Sequence, residues 1–275
     1  MKYFFLDIDG TLYSPKINGV PKSAQEAIND ARKAGNKIFL CTGRLLGECE
    51  KYLSYPTDGY VFGAGAFIYA GGKRIYDHPI PTSDVEMLKQ ILEKHGLGYT
   101  SEGSAGAYSN PSGYESALKY FGAGETDPDQ LTRRARDNGF YTEADQHELD
   151  PIYKICFYTS DYHQFAEIQK ELPKPYHLTV SMRDPDNLNH IAEITDGNIT
   201  KATGIQHVLE YEHADVKDAV AIGDSENDIP MIKYCGMGIA MGNAVPQVKE
   251  AADWTTTDIL EDGIRNAFEK VLKED

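Results

Sequence analysis

Asp7 and Asp9 stand two residues apart, directly after the apolar run Tyr3-Phe4-Phe5-Leu6, and Gly10 and Thr11 follow them. Residues two apart on an extended backbone project to the same side, so the two carboxylates share one small region. They repel each other there unless a proton or a cation lies between them. The arrangement suits a magnesium site with one acid left to act as nucleophile. A strand ending in a plain Asp-Gly turn would read the same over these residues alone.

Two further apolar runs end in comparable groups. Ile38-Phe39-Leu40-Cys41 leads into Thr42-Gly43-Arg44, and Ala219-Val220-Ala221-Ile222 into Gly223-Asp224-Ser225-Glu226-Asn227-Asp228. Ligands of open parallel sheets bind beyond the carboxyl ends of the strands, so neighbouring strands would bring all three motifs to one crevice. Thr42 and Gly43, where a strand hands over to a helix, offer a hydroxyl and backbone N–H groups to a phosphate; an N-cap threonine with a turn glycine is the plainer alternative. Asp224 can complete an oxygen-rich magnesium shell, Asn227 can donate to a phosphate oxygen, and Asp228 can orient a metal-bound water. Lys201 follows Thr200 in the first turn of a helix, where a cation opposes the macrodipole. By position alone it is a solvated surface lysine; an anion close by would give it a purpose.

The elements that hold these groups alternate between strand and helix at both ends of the chain, which predicts a parallel α/β sheet. Helices are expected over 21–34, 44–53, 201–210 and 226–233, from Pro246 and from about Glu261; strands over 37–41, 61–62, 67–69, 191–194, 219–222 and 237–240. Between about 82 and 189 the character changes. A helix over 83–95, with Ser83 or Asp84 near its cap, precedes a polar, glycine-rich stretch with tyrosines at 99, 108, 114 and 120. Strands over 154–158 and 178–182 flank a helix over 162–172. The reading is a core of residues 1–82 and 190–275, interrupted by an inserted α+β domain of residues 83–189. Asp145 to Asp150 reads as a solvated acidic loop.

Composition narrows the partners. Among 275 residues, Asp and Glu outnumber Lys and Arg 43 to 27, for a formal charge of −16. Such a surface repels a phosphate backbone, which argues against nucleic acid as a partner. A small phosphorylated metabolite feels only the local field of its pocket. Neither a secretory signal nor a bilayer-length apolar run is present, so no membrane partner is expected. The four cysteines form no Cys-x-x-Cys pair, which fits a reducing cytoplasm. No zinc-hydrolase histidine pattern and no P-loop occur.

With Asp7-x-Asp9-Gly-Thr, Thr42-Gly-Arg, Lys201 and Gly223-Asp224-x-x-Asn227-Asp228 in that order, the chain resembles the haloacid dehalogenase superfamily, in its Cof-type branch of sugar-phosphate phosphatases. The later segments Ala240-Met241-Gly242-Asn243-Ala244, Val248-Lys249-Glu250-Ala251-Ala252-Asp253 and Glu261-Asp262-Gly263 are similar to that branch as well. The resemblance implies a Rossmann-like core with a large inserted cap. It implies that Asp7 attacks phosphorus to form an aspartyl-phosphate, and that Asp9 protonates the leaving alkoxide and then deprotonates water. Mg2+ would be held by Asp7, the backbone carbonyl of Asp9, and Asp224. Thr42, Gly43, Lys201 and Asn227 would neutralise the transferring oxygens, and the cap would close over the site and read the leaving group. One departure is Ala64-Gly65-Ala66, where the family usually carries Asn-Gly-Ala.

The expectation is therefore a magnesium-dependent phosphatase of small phosphate monoesters, such as sugar phosphates or phosphorylated cofactors, acting as a monomer or small homo-oligomer. A phosphotransferase or phosphomutase using the same intermediate remains open, as does a catalytically silent metabolite-binding protein on the same fold. The tyrosines between 99 and 120 either face a substrate ring or form cap core.

Overall fold

Leu6, Leu40 and Ile222 stand level across three adjacent parallel strands, and that register decides where the motifs meet. The computed structural model describes residues 1–45, 49, 55–121, 127–146, 150–183 and 190–273. The chain divides into two units, one of Met1–Arg44, Tyr52–Asp77 and Ile199–Asp275, the other of Leu45–Lys51 and His78–Asn198.

The first unit opens with β1 (Tyr3–Leu6), α1 (Lys22–Lys33), β2 (Lys37–Cys41), β3 (Gly59–Phe62), β4 (Phe67–Ala70) and β5 (Lys73–Asp77). The chain then enters the second unit through α2 (Thr82–Lys94), β6 (Gly98–Gly103), β7 (Ala107–Ser109), α3 (Pro111–Phe121), α4 (Pro128–Asp137), β8 (Phe140–Thr142), β9 (Ile152–Thr159), α5 (His163–Glu171), β10 (Tyr176–Arg183) and β11 (His190–Asp196). It returns with α6 (Lys201–Glu212), β12 (Ala219–Gly223), α7 (Ile229–Tyr234), β13 (Met237–Ala240), α8 (Pro246–Ala251), β14 (Trp254–Thr255) and α9 (Gly263–Lys273).

The first sheet has the order β14-β13-β12-β1-β2-β3-β4-β5, with β4 alone running antiparallel to its neighbours β3 and β5. Strand β1 lies at the point where the order reverses: the chain builds outward through β2 and β3 on one side and through β12, β13 and β14 on the other. All four residues of β1 are buried, because a parallel strand in the middle of such a sheet is covered on both faces and must be apolar throughout. Phe4 stacks on Phe268 of α9, 4.1 Å between centroids. Its neighbour Phe5 points the other way and stacks on Phe39, at 5.2 Å. In α1, Ala24, Ile28 and Ala31 form the buried stripe, spaced four and three apart as a helix face requires.

In the second unit the strand order is β10-β11-β9-β6-β7-β8. The strand expected over 191–194 belongs to this sheet and not to the first: β11 pairs antiparallel with β9 and β10. The crossing back into the first unit therefore falls after Asn198, later than the expected boundary at 190. The polar stretch after Tyr99 contains β6, β7 and α3. Their alternation is masked because β6 buries Thr100, Ser101 and Glu102 as well as Tyr99. Tyr99 and Tyr108 lie in the apolar core of this unit with Leu88, Ile155 and Phe157, so these two tyrosines are structural. The Tyr99 hydroxyl donates to Glu93 at 2.8 Å.

Helix α2 begins after Pro81 with no side-chain cap. Asp84 sits inside its first turn, where its charge favours the dipole, and accepts from the Tyr176 hydroxyl at 2.5 Å. Asp145 closes a short turn with Thr142, and Asp150 accepts from Ser104. Residues 147–149 of the expected acidic loop, and residues 46–48 and 50–53 of the helix expected over 44–53, lie outside the described residues. Among the described residues no helix is long and apolar enough to cross a membrane, and all four cysteines are buried.

Candidate active site

Asp7 is the first residue past β1. Its N–H still bonds the Ile222 carbonyl at 3.0 Å, so its side chain emerges beside the ends of β2 and β12. The same register sets Thr42 and Asp224 one step beyond Cys41 and Gly223.

Lys201 is the first residue of α6. Thr200 caps that helix by accepting from the Thr203 N–H at 3.2 Å, and the Thr203 hydroxyl accepts in return from the Thr200 N–H at 2.9 Å. The turn at Gly63-Ala64-Gly65 presses on this helix start: a Cβ on Gly65, whose φ is +116°, would stand 2.4 Å from the Thr200 carbonyl. Lys201 is 0% exposed, which overturns its positional reading as a surface lysine. Its Nζ lies 2.5 Å from Asp7 Oδ1 and 2.5 Å from Asp228 Oδ1. Burial disfavours the ammonium, but Asp228 and Asp7 outweigh that cost and raise its pKa above the ordinary lysine value.

Asp228 is committed to protein partners. Oδ1 takes Lys201, and Oδ2 accepts the N–H groups of Asp224 and Ser225 at 3.0 Å each and the Ser225 hydroxyl at 3.1 Å. It holds the lysine and the loop that carries Asp224, where sequence reasoning had it orienting a metal-bound water.

Ligand atoms of Asp7, Asp224 and Asp228 lie within 4.8 Å of one another. Burial pushes the Asp7 carboxyl up to about 8; Lys201 opposes this, while Asp228 and Asp224 add to it. Burial likewise raises Asp224 to about 6, with the Thr11 hydrogen bond opposing. A hard divalent cation takes oxygen ligands and relieves this kind of strain, and the surroundings fit one. The Thr11 hydroxyl orients Asp224 by donating to Oδ1 at 2.7 Å. Gly10 turns at φ +86°, and a Cβ there would come 2.3 Å from Asp224 Oδ2, so any side chain would crowd the acid.

These values fix a pH dependence. The native Asp7 carboxyl gives up its proton at a higher pH than the unfolded one, which loses it near 3.8. Between those limits the native state binds more protons, so stability is lost as pH rises. In chelator, the melting temperature of the protein relative to Asp7→Asn is expected to fall from pH 4 to pH 8, by several degrees. Thermal melts across that range check it; a flat difference would contradict the assignment.

Asp9 pairs with Arg44. The Thr42 hydroxyl accepts from the Arg44 N–H at 3.1 Å and keeps its own O–H to donate. A Cβ on Gly43 would lie 3.5 Å from Asn227 Nδ2, so the backbone at Gly43 and the amide of Asn227 face each other across a narrow gap. Every residue singled out by spacing thus lies at the carboxyl edge of the first sheet. Sequence reasoning assigned no part to Thr11 or to the side chains of Arg44 and Asn243. Asn243 Nδ2 donates to the Gly10 carbonyl at 2.7 Å while Oδ1 accepts from Ile259 N–H at 3.0 Å. No spacing announces such long-range contacts. Ala64, where the family usually has asparagine, adopts φ 54°, ψ 27°, a left-handed conformation that asparagine accepts more readily than alanine. Its N–H still bonds the Thr42 carbonyl at 2.8 Å.

Residues 4–268 match the family described as haloacid dehalogenase-like hydrolase. The chain belongs to that family. The Bacillus subtilis (strain 168) protein YkrA is 30% identical to this hydrolase over 98% of its chain and 97% of YkrA. The 5-amino-6-(5-phospho-D-ribitylamino)uracil phosphatase YcsE of the same organism is 27% identical over 98% and 94% of the two chains. Among solved structures, BT1666 of Bacteroides thetaiotaomicron, described among phosphatases of the superfamily, superposes with a TM-score of 0.79 at 25% identity, covering 98% of this chain and 94% of its own. The family is one of hydrolases, and this chain is an enzyme of it.

Proposed function

We propose that the enzyme is a magnesium-dependent phosphatase that hydrolyses a small phosphate monoester through an aspartyl-phosphate on Asp7. The observation that carries this reading is the bridge from Lys201 Nζ to Asp7 and Asp228, beside Asp224. A buried cation that grips one oxygen of a carboxylate leaves the other to act as nucleophile. Asp7 and Asp224, with the Asp9 carbonyl, would hold Mg2+, which when bound neutralises charge on the phosphoryl oxygens.

Asp7 attacks phosphorus as the ester P–O bond breaks, and Asp9 delivers a proton to the departing alkoxide. Water then attacks the aspartyl-phosphate, gives its proton back to Asp9, and releases inorganic phosphate with Asp7 restored. Thr42, the Gly43 N–H, Asn227 and Lys201 balance the charge of the three equatorial oxygens, the main source of catalysis in phosphoryl transfer. Asp9 directs the second half of the reaction to water, which favours hydrolysis over transfer to a second sugar. Choice of leaving group belongs to the inserted unit.

The test is a phosphate-release screen over hexose phosphates, pyridoxal phosphate, flavin mononucleotide and the ribitylaminouracil phosphate named for YcsE. Release is expected with magnesium and not with chelator. Background rates under both conditions, alongside tight binding of one ester, would sink the reading in favour of a silent binding protein.

A further inference from the structure

Arg44 closes on Asp9 with both arms of its guanidinium: Nε to Oδ2 at 2.5 Å and Nη2 to Oδ1 at 2.9 Å. Paired N–H donors fix the plane of a carboxylate as well as its distance. The arginine is itself held by its backbone on both sides. Its N–H donates to the Thr42 hydroxyl at 3.1 Å, and its carbonyl accepts from Gly63 at 2.9 Å. Gly63 begins the turn that also bonds Thr42 through Ala64 and packs on the start of α6. The clamp on Asp9 is therefore anchored to the same scaffold that holds Thr42 and the helix start bearing Lys201. The two side chains are 32% and 47% exposed, open enough to meet an entering molecule.

We propose that Arg44 is a positioning residue for Asp9, aiming its carboxyl at the ester oxygen. The inference rests on the general acid–base reading of Asp9 given above. A partly exposed carboxylate on a turn samples several rotamers, and proton transfer needs one of them. In the proton-donating state one Asp9 oxygen keeps an Arg44 N–H while the other carries the proton. That proton passes to the ester oxygen as the P–O bond to the alcohol breaks and the bond from Asp7 to phosphorus forms. The carboxylate left behind regains both arms of Arg44 and is aimed at the water that follows.

Positioning of this kind has a signature that phosphate binding or a merely structural role lacks. p-Nitrophenolate departs readily without a proton, whereas an alkoxide does not. The experiment compares single-turnover release of the leaving group from p-nitrophenyl phosphate and from an alkyl phosphate that the wild type hydrolyses. Wild type, Asp9→Asn, Arg44→Met and Arg44→Lys are compared at saturating magnesium.

Displacing a catalytic group by about 1 Å costs on the order of 100-fold. Arg44→Met is therefore expected to slow alkoxide release by roughly 10- to 100-fold and nitrophenolate release several times less, with an unchanged melting temperature. Arg44→Lys, which cannot form the paired contact, is expected to recover only part of the loss. Equal slowing of both esters, a KM increase alone, or no slowing would overturn the inference, provided Asp9→Asn is selective for the alkyl ester. If Asp9→Asn is not selective, the reading of Asp9 fails first and the role of Arg44 goes with it.

Discussion

Asp7→Asn is expected to leave a folded protein with no phosphatase activity. The side chain sits at the end of a strand buried on both faces, and an amide has nearly the same shape, so packing is undisturbed. Its carbonyl oxygen can still accept from Lys201. What disappears is the anionic nucleophile, and with it the covalent route that splits hydrolysis into two easier steps. Removing the nucleophile of an enzyme whose groups act as a unit lowers kcat by roughly 10³- to 10⁶-fold. Phosphate release measures the loss. Acid-quenched labelling from a phosphoester should mark the wild type and leave the variant unmarked. Turnover close to normal would refute the assigned nucleophile, and labelling of the variant would place the phosphoryl group elsewhere.

Lys201→Ala should be the costliest single change to stability at the site. The ammonium is 0% exposed and lies 2.5 Å from each of two buried carboxylates. Without it, buried Asp228 stands beside Asp7 with no counter-charge. Breaking one partner out of a buried ionic group costs about 3–5 kcal/mol, and the emptied stem adds a cavity. Denaturant unfolding at neutral pH measures the difference. Pairing Lys201→Ala with Asp228→Asn should recover part of the loss, because contacting groups do not add independently. A variant as stable as the wild type would mean that the lysine is not the counter-charge of this cluster. Activity should fall as well, since Lys201 touches the nucleophile.

The motifs at the sheet edge were legible because their strands are buried on both faces. Such strands appear in sequence as unbroken apolar runs, and each of the three stops abruptly at its polar group. Residues 191–194 show the limit of that signal: an apolar run announces a buried strand but not its sheet or direction, and β11 pairs antiparallel in the second unit. β6 was hidden for the opposite reason, being polar yet buried along its whole length. Position could not reveal that Lys201 is enclosed, since its two partners lie 194 residues upstream and 27 downstream. The grip of Arg44 on Asp9 joins residues 35 apart by side-chain reach, which no periodicity records.

The separation between Asp7 and Lys201 has a consequence for vectorial synthesis. The nucleophile leaves the ribosome 194 residues ahead of the ammonium that neutralises it, and its neighbour β12 emerges only after the whole inserted segment. Until then the central strand lacks one flank, and its acid lacks a counter-ion. A nascent chain halted before Asp228 is therefore expected to remain open to proteases and chaperones, however complete the preceding elements are.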